Sequence, residues 1–143
     1  MIETKKLLLL AGASLLAVSI VGAAYADPAT MEGVVWFSEA EGEQAACVTI
    51  EVYDDSRCRP EDLKGGDFTW ECGRYEVDGL ETGETYWVDV WFGAILCSGA
   101  SWSGTCPETR IECESVTMDE DTTSTNKDWD LGLDDCENNV FCP

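Results

Sequence analysis

The chain predicts an all-β fold, a seven-stranded antiparallel sandwich stapled by disulfides. Three observations carry that expectation. Short runs of alternating apolar and polar residues recur along the chain, the pattern of half-buried strands. No amphipathic segment of helix length appears beyond residue 26. Eight cysteines, an even count, all lie downstream of what reads as an export leader.

The leader comes first. Lys5 and Lys6 give a positive start, residues 7–24 are almost wholly apolar, and Ala24-Tyr25-Ala26 is a small-x-small cleavage site ahead of Asp27 and Pro28. An uncleaved anchor helix is the competing reading, because the apolar run is about long enough to span a bilayer. The small residues at its end favour cleavage. The expected organisation is therefore a signal peptide over residues 1–26, one β-sandwich domain over 27–133, and an acidic, disulfide-bearing tail over 134–143. Export to a periplasm or the extracellular space follows, with no stable membrane insertion after cleavage.

The strand-like runs then follow in order at residues 32–37, 46–53, 67–72, 74–78, 85–92, 110–118 and 127–133. Between them lie turn formers: Asp54-Asp55-Ser56, Arg59-Pro60-Glu61-Asp62, Gly65-Gly66-Asp67 and Asp119-Glu120-Asp121. Gly79 and Gly83 supply backbone freedom for a tight connection between the fourth and fifth runs.

The cysteines are Cys47, Cys58, Cys72, Cys97, Cys106, Cys113, Cys136 and Cys142. With no C-x-x-C pair and no histidine, thiolate ligation of zinc is poorly supported, and disulfides are expected throughout. Most pairings stay open. Two short spacings suggest local loop staples, Cys97 with Cys106 around a Gly/Ser-rich loop, and Cys136 with Cys142.

Composition excludes whole classes of partner. The net charge is −21 over 143 residues, and cleavage of Glu3, Lys5 and Lys6 makes it one unit more negative. Such a chain is repelled by phosphates, so nucleic acid and anionic membrane surfaces are not expected partners. Cations, basic proteins or neutral polymers remain. Catalysis finds little foothold. Histidine, the commonest general base, is absent, no nucleophile motif or phosphate-cradling loop is present, and the thiols are expected to be oxidised. No enzyme activity and no cofactor are expected. The carboxylate pairs and triplets at Asp54-Asp55, Asp119-Glu120-Asp121 and Asp134-Asp135 invite a calcium reading, but none matches an EF-hand loop, and they read as solvated turns with no metal.

Alternation also nominates a surface. In the second run Val48, Ile50 and Val52 share one face, leaving Cys47, Thr49, Glu51 and Tyr53 opposite. In the fifth, Tyr86, Val88, Val90 and Phe92 share a face, leaving Trp87, Asp89 and Trp91 opposite. If the aliphatic sets form the core, Tyr53, Trp87 and Trp91 emerge outward around Asp89. Aromatic rings standing on a sheet stack on sugars or anchor a protein partner. An insert over residues 94–108, carrying Trp102, either covers this face or joins it as a further binding residue. Trp129, in phase with Leu131 and Leu133, reads as core.

The stretch Tyr75-Glu76-Val77-Asp78-Gly79-Leu80-Glu81-Thr82-Gly83, followed by Tyr86 and Val88, resembles the carboxypeptidase regulatory-like domain. Gly33-Val34-Val35 is similar to that family's opening strand, Ala46–Val52 to its second, and Asn126-Lys127-Asp128-Trp129-Asp130-Leu131 to its closing strand. The departures are the eight cysteines and the 94–108 insert. The resemblance implies a transthyretin-like, Ig-like sandwich of the carbohydrate-binding-like kind in an extracellular setting, and it brings no catalytic residues. The expected function is a secreted noncatalytic interaction module that binds a carbohydrate or a protein through the aromatic sheet face. The alternative is a structural component of an extracellular or envelope assembly with no discrete ligand.

Overall fold

The computed structural model describes residues 26–69, 72–93, 102–103 and 106–138, and its long first strand organises the rest. β1 (Pro28–Ser38) alternates Met31, Val35 and Phe37 into the interior, each fully shielded from water. β2 (Glu43–Gln44) folds back on its C-terminal half. β3 (Val48–Tyr53), one turn of 3-10 helix (Pro60–Asp62) and β4 (Leu63–Thr69) follow, then β5 (Arg74–Glu81) and β6 (Thr85–Phe92). The remainder is β7 (Trp102–Ser103), β8 (Thr109–Thr117), β9 (Ser124–Asn126), β10 (Trp129–Asp130) and β11 (Glu137–Asn138).

These strands form two main sheets. One contains β1, β2, β5, β9 and β10; the other has the order β4-β3-β6-β8, and β7 pairs with β11 as a small ribbon. One hydrophobic cluster joins both. Met31, Val35, Tyr75, Val77 and Leu80 come from the first sheet, and Val48, Ile50, Val52, Val88 and Val90 from the second. Phe37 meets Phe92 edge to face across the interior, with ring centroids 5.0 Å apart. Each such side chain contributes about 1.5–3 kcal/mol by leaving water. The fold is therefore all-β and sandwich-like, as the alternation predicted.

The purely antiparallel expectation is corrected. β1 pairs antiparallel with β5 and β2 but parallel with β9 and β10, at Thr30↔Ser124 and Val35↔Trp129. After β8 the chain crosses from the second sheet back to the first and runs beside β1 in the same direction. Gly33 makes room for that return, since a Cβ there would collide with the carbonyl oxygen of Lys127. Asp128 then caps the adjacent amide, accepting from Val34 N at 2.8 Å.

Two glycine readings also change. Gly65-Gly66-Asp67 lies within β4 rather than in a turn. A Cβ on Gly66 would sit 2.6 Å from the carbonyl oxygen of Ile50, and one on Gly65 would sit 3.0 Å from Val77. These glycines permit close approach of neighbouring chains. Asp67 closes the seam between sheets, accepting from Phe68 N at 2.7 Å and from Glu76 N on β5 at 2.8 Å. Gly79 sits inside β5 at φ 78°, where the register with β1 shifts, while Gly83 at φ 74° makes the β5–β6 turn.

Cys58 bonds to Cys113 and Cys106 to Cys136, with Cα separations of 6.1 and 5.4 Å in the ordinary disulfide range. Cys47 and Cys72 are also disulfide-bonded, and no cysteine among the described residues is free. This overturns both expected local staples, Cys97 with Cys106 and Cys136 with Cys142. The reason is long-range pairing. Leu133 N donates to the Phe37 carbonyl and β11 pairs with β7, which carries Cys136 into the core cluster beside Cys106. Cys97 and Cys142 themselves lie outside the described residues. Among the described residues no helix is long and apolar enough to cross a membrane.

Candidate functional site

The outer face of the four-stranded sheet is built by strand parity. β3 and β6 pair antiparallel with Tyr53↔Trp87, Glu51↔Asp89 and Thr49↔Trp91. Directly opposed side chains on one face stand about 5 Å apart, so these six form three adjacent rows. β8 extends them, with Arg110 opposite Trp91 and Ser115 opposite Trp87. Between those rows β8 carries a bulge: Glu112 and Cys113 together face Asp89, and Cys113 takes φ 45°. The bulge turns Cys113 toward Cys58, so the disulfide ties the β3–β4 loop to this edge.

A groove of about 300 Å³ opens on this face, lined by Glu51, Tyr53, Asp89, Trp91, Glu108 and Arg110. At its centre the Asp89 side chain is only 10% exposed, against 52% for Arg110. The guanidinium grips it with two prongs, Nε to Oδ1 at 2.9 Å and Nη2 to Oδ2 at 2.7 Å. That carboxylate raises the guanidinium's already high pKa by hydrogen bonding and charge.

The aromatic residues are held by carboxylates. Tyr53 is buried and its hydroxyl donates to Glu51 Oε2. Burial first, then the Glu51 hydrogen bond and charge, push its phenol up to about 12. Trp91 is half-buried and donates from Nε1 to Glu108 Oε1 at 2.8 Å. Gly93 lies against the same indole, where an added Cβ would come within 3.2 Å of the ring. One face of the indole is thus backed by its own chain.

The structure therefore brings Tyr53, Asp89 and Trp91 into one groove. Trp87 is half-buried on the same face, in the row of Tyr53, but outside the groove lining. Trp102 lies in β7, and its side chain is outside the described residues, as is most of the 94–108 insert. Sequence reasoning missed Arg110 and Glu108. Both flank the start of β8, and only the β6–β8 register places them beside Asp89 and Trp91.

A larger depression of about 400 Å³ lies mainly on the other sheet, at its seam with β4, lined in part by Glu32, Asp67, Arg74 and Glu76. Its carboxylates are largely committed: Asp67 to two amides, and Glu32 to the Ser124 hydroxyl at 2.8 Å. It offers no half-exposed indole. The acidic turns are used locally. Asp54 pairs with Lys64 at 3.1 Å, Asp55 with Arg57 at 2.8 Å, and Asp119 accepts from the Asp121 amide at 2.9 Å. Among the described residues no group of three or more acidic or cysteine side chains is arranged to hold a metal ion.

No family model, curated protein or solved structure matches this chain.

Proposed function

We propose that this protein is an exported, noncatalytic binding module of transthyretin-like sandwich type, and that it holds an extracellular polysaccharide on the outer face of its four-stranded sheet. The observation that carries the reading is Trp91. Its indole is backed by Gly93 and fixed in orientation by Glu108, with polar groups from three strands beside it. A rigid aromatic plane flanked by carboxylates is suited to a pyranose, whose C–H face stacks while its hydroxyls donate. Trp87 extends the platform. It lies four residues away on the same strand, about 13 Å along at strand rise, a span that suits a polymer. The disulfides support an oxidising compartment.

The test is a glycan array followed by titration of Trp87→Ala and Trp91→Ala. The expected result is retention of one class of oligosaccharide by the native protein, with weaker binding by both variants and little loss of stability. Variants that lose stability, from a native protein that retains no glycan, would assign these rings to packing and the protein to a structural role.

A further inference from the structure

We infer that the sugar recognised in this groove is a protonated amino sugar within an oligosaccharide, an inference that rests on the saccharide reading above. The groove contains three carboxylates and one cation. Asp89 and Arg110 neutralise each other, and both Asp89 oxygens are spent on the guanidinium. Glu51 and Glu108 differ. Each has one oxygen fixed by an aromatic donor, Tyr53 Oη for Glu51 and Trp91 Nε1 for Glu108. Among the described residues neither has another hydrogen-bond or ion-pair partner. The groove therefore presents two oriented oxygens that only accept, and among the described residues the cation beside them, Arg110, is already committed.

A ligand filling this space must bring the protons. An ammonium does so with charge-assisted bonds roughly twice as strong as neutral ones. The Trp91 indole lining the groove adds attraction for both a cation and a pyranose C–H face. A uronic acid or a sulfated sugar would meet uncompensated negative charge in the groove and a chain at −21 around it. A volume of about 300 Å³ stands at the small end of ligand sites and suits one or two sugar rings. An isolated lysine side chain would satisfy the carboxylates, but it would leave the aromatic platform toward Trp87 unused.

The test is calorimetric titration of the oxidised protein with a glucosamine tetrasaccharide, its N-acetylated form, cellotetraose and tetralysine. The glucosamine oligomer is expected to bind about tenfold more tightly than either neutral sugar. Its binding should weaken as pH rises through the amine's own ionisation, and as salt is added. Glu108→Gln should abolish that preference, lowering affinity for the amino sugar about tenfold more than for either neutral sugar. Glu76→Gln removes the same charge from the opposite sheet and should leave the preference intact. Equal binding of all three sugars, unaffected by Glu108→Gln, would overturn the amine while leaving the saccharide reading standing. No binding of any sugar would overturn the saccharide reading itself. Tetralysine matching the amino sugar, with the same loss in Glu108→Gln, would overturn the sugar as the source of the amine.

Discussion

Asp89 holds a charge where only a tenth of its side chain meets water, and its stability there depends on Arg110. Removing the partner of a buried charge costs about 3–5 kcal/mol when both are enclosed. Arg110 is half exposed, so water recovers part of the loss, and Arg110→Ala is expected to destabilise by about 1–2 kcal/mol. Arg110→Lys should rescue little, because an ammonium cannot grip both oxygens. Urea denaturation of the two variants checks both statements. Tyr53 makes an alkaline prediction. Its phenol is raised from 10.0 to about 12 in the folded protein. The unfolded chain loses that proton first, so the stability it supplies is complete below about pH 10 and falls as pH rises toward 12. Tyr75 and Tyr86 are shifted the same way by burial. Tyr53→Phe should therefore flatten part of the decline in melting temperature across that window. Sequence alternation put Tyr53 on the correct face, but the buried position and the Glu51 bond come from neighbours on other strands.

At the scale of elements, β10 and the glycine beneath it are the sensitive points. Trp129 is 2% exposed, and its Nε1 donates to Tyr75 Oη at 3.1 Å. That hydroxyl donates in turn to the Lys127 carbonyl, and the Lys127 ammonium sits 4.7 Å from the indole centroid. Trp129→Ala is expected to cost about 3–5 kcal/mol in chemical denaturation. Gly33→Ala tests the parallel crossing, because its methyl group must push β1 away from Lys127. A cost of about 2–3 kcal/mol is expected, comparable to overpacking a core. The aromatic-x-Leu pattern around Trp129 marked it as core from the sequence alone. The crossing over Gly33 was not legible, since a glycine that admits a neighbouring strand looks the same in sequence as one that makes a turn.

For the whole molecule, charge and cross-links set the balance. The chain carries 29 acidic against 8 basic residues. Arg57, Arg59, Lys64, Arg110 and Lys127 are already engaged by carboxylates. The remaining carboxylates repel one another, so melting temperature should rise as ionic strength goes from about 0.01 to about 0.15 M and the screening length falls from about 30 to about 8 Å. Calorimetry over that range checks it; a fall would mean that the ion pairs dominate. The Cys58–Cys113 bond closes 55 residues and Cys106–Cys136 closes 30. On the chain-entropy account the first is worth about 4 kcal/mol and the second slightly less. Paired serine replacements should follow that order in denaturant midpoint.

Local chemistry was sufficient for much of this protein. Side-chain alternation has period two wherever a strand is half-buried, so the all-β class, the inward Val48, Ile50, Val52, Val88 and Val90, and the outward Trp87, Asp89 and Trp91 were all readable one strand at a time. Composition likewise determined the acidity, and the even cysteine count after the leader pointed to the disulfides seen among the described cysteines. What joins distant strands was decided only by the tertiary structure: the parallel return of β9 and β10, Cys106 meeting Cys136, and Arg110 with Glu108 completing the groove around Asp89 and Trp91. Those contacts depend on register and on which strand lies beside which. Both are settled by the shared core and the steric room at Gly33 and Gly66, for which the one-dimensional pattern carries no signal.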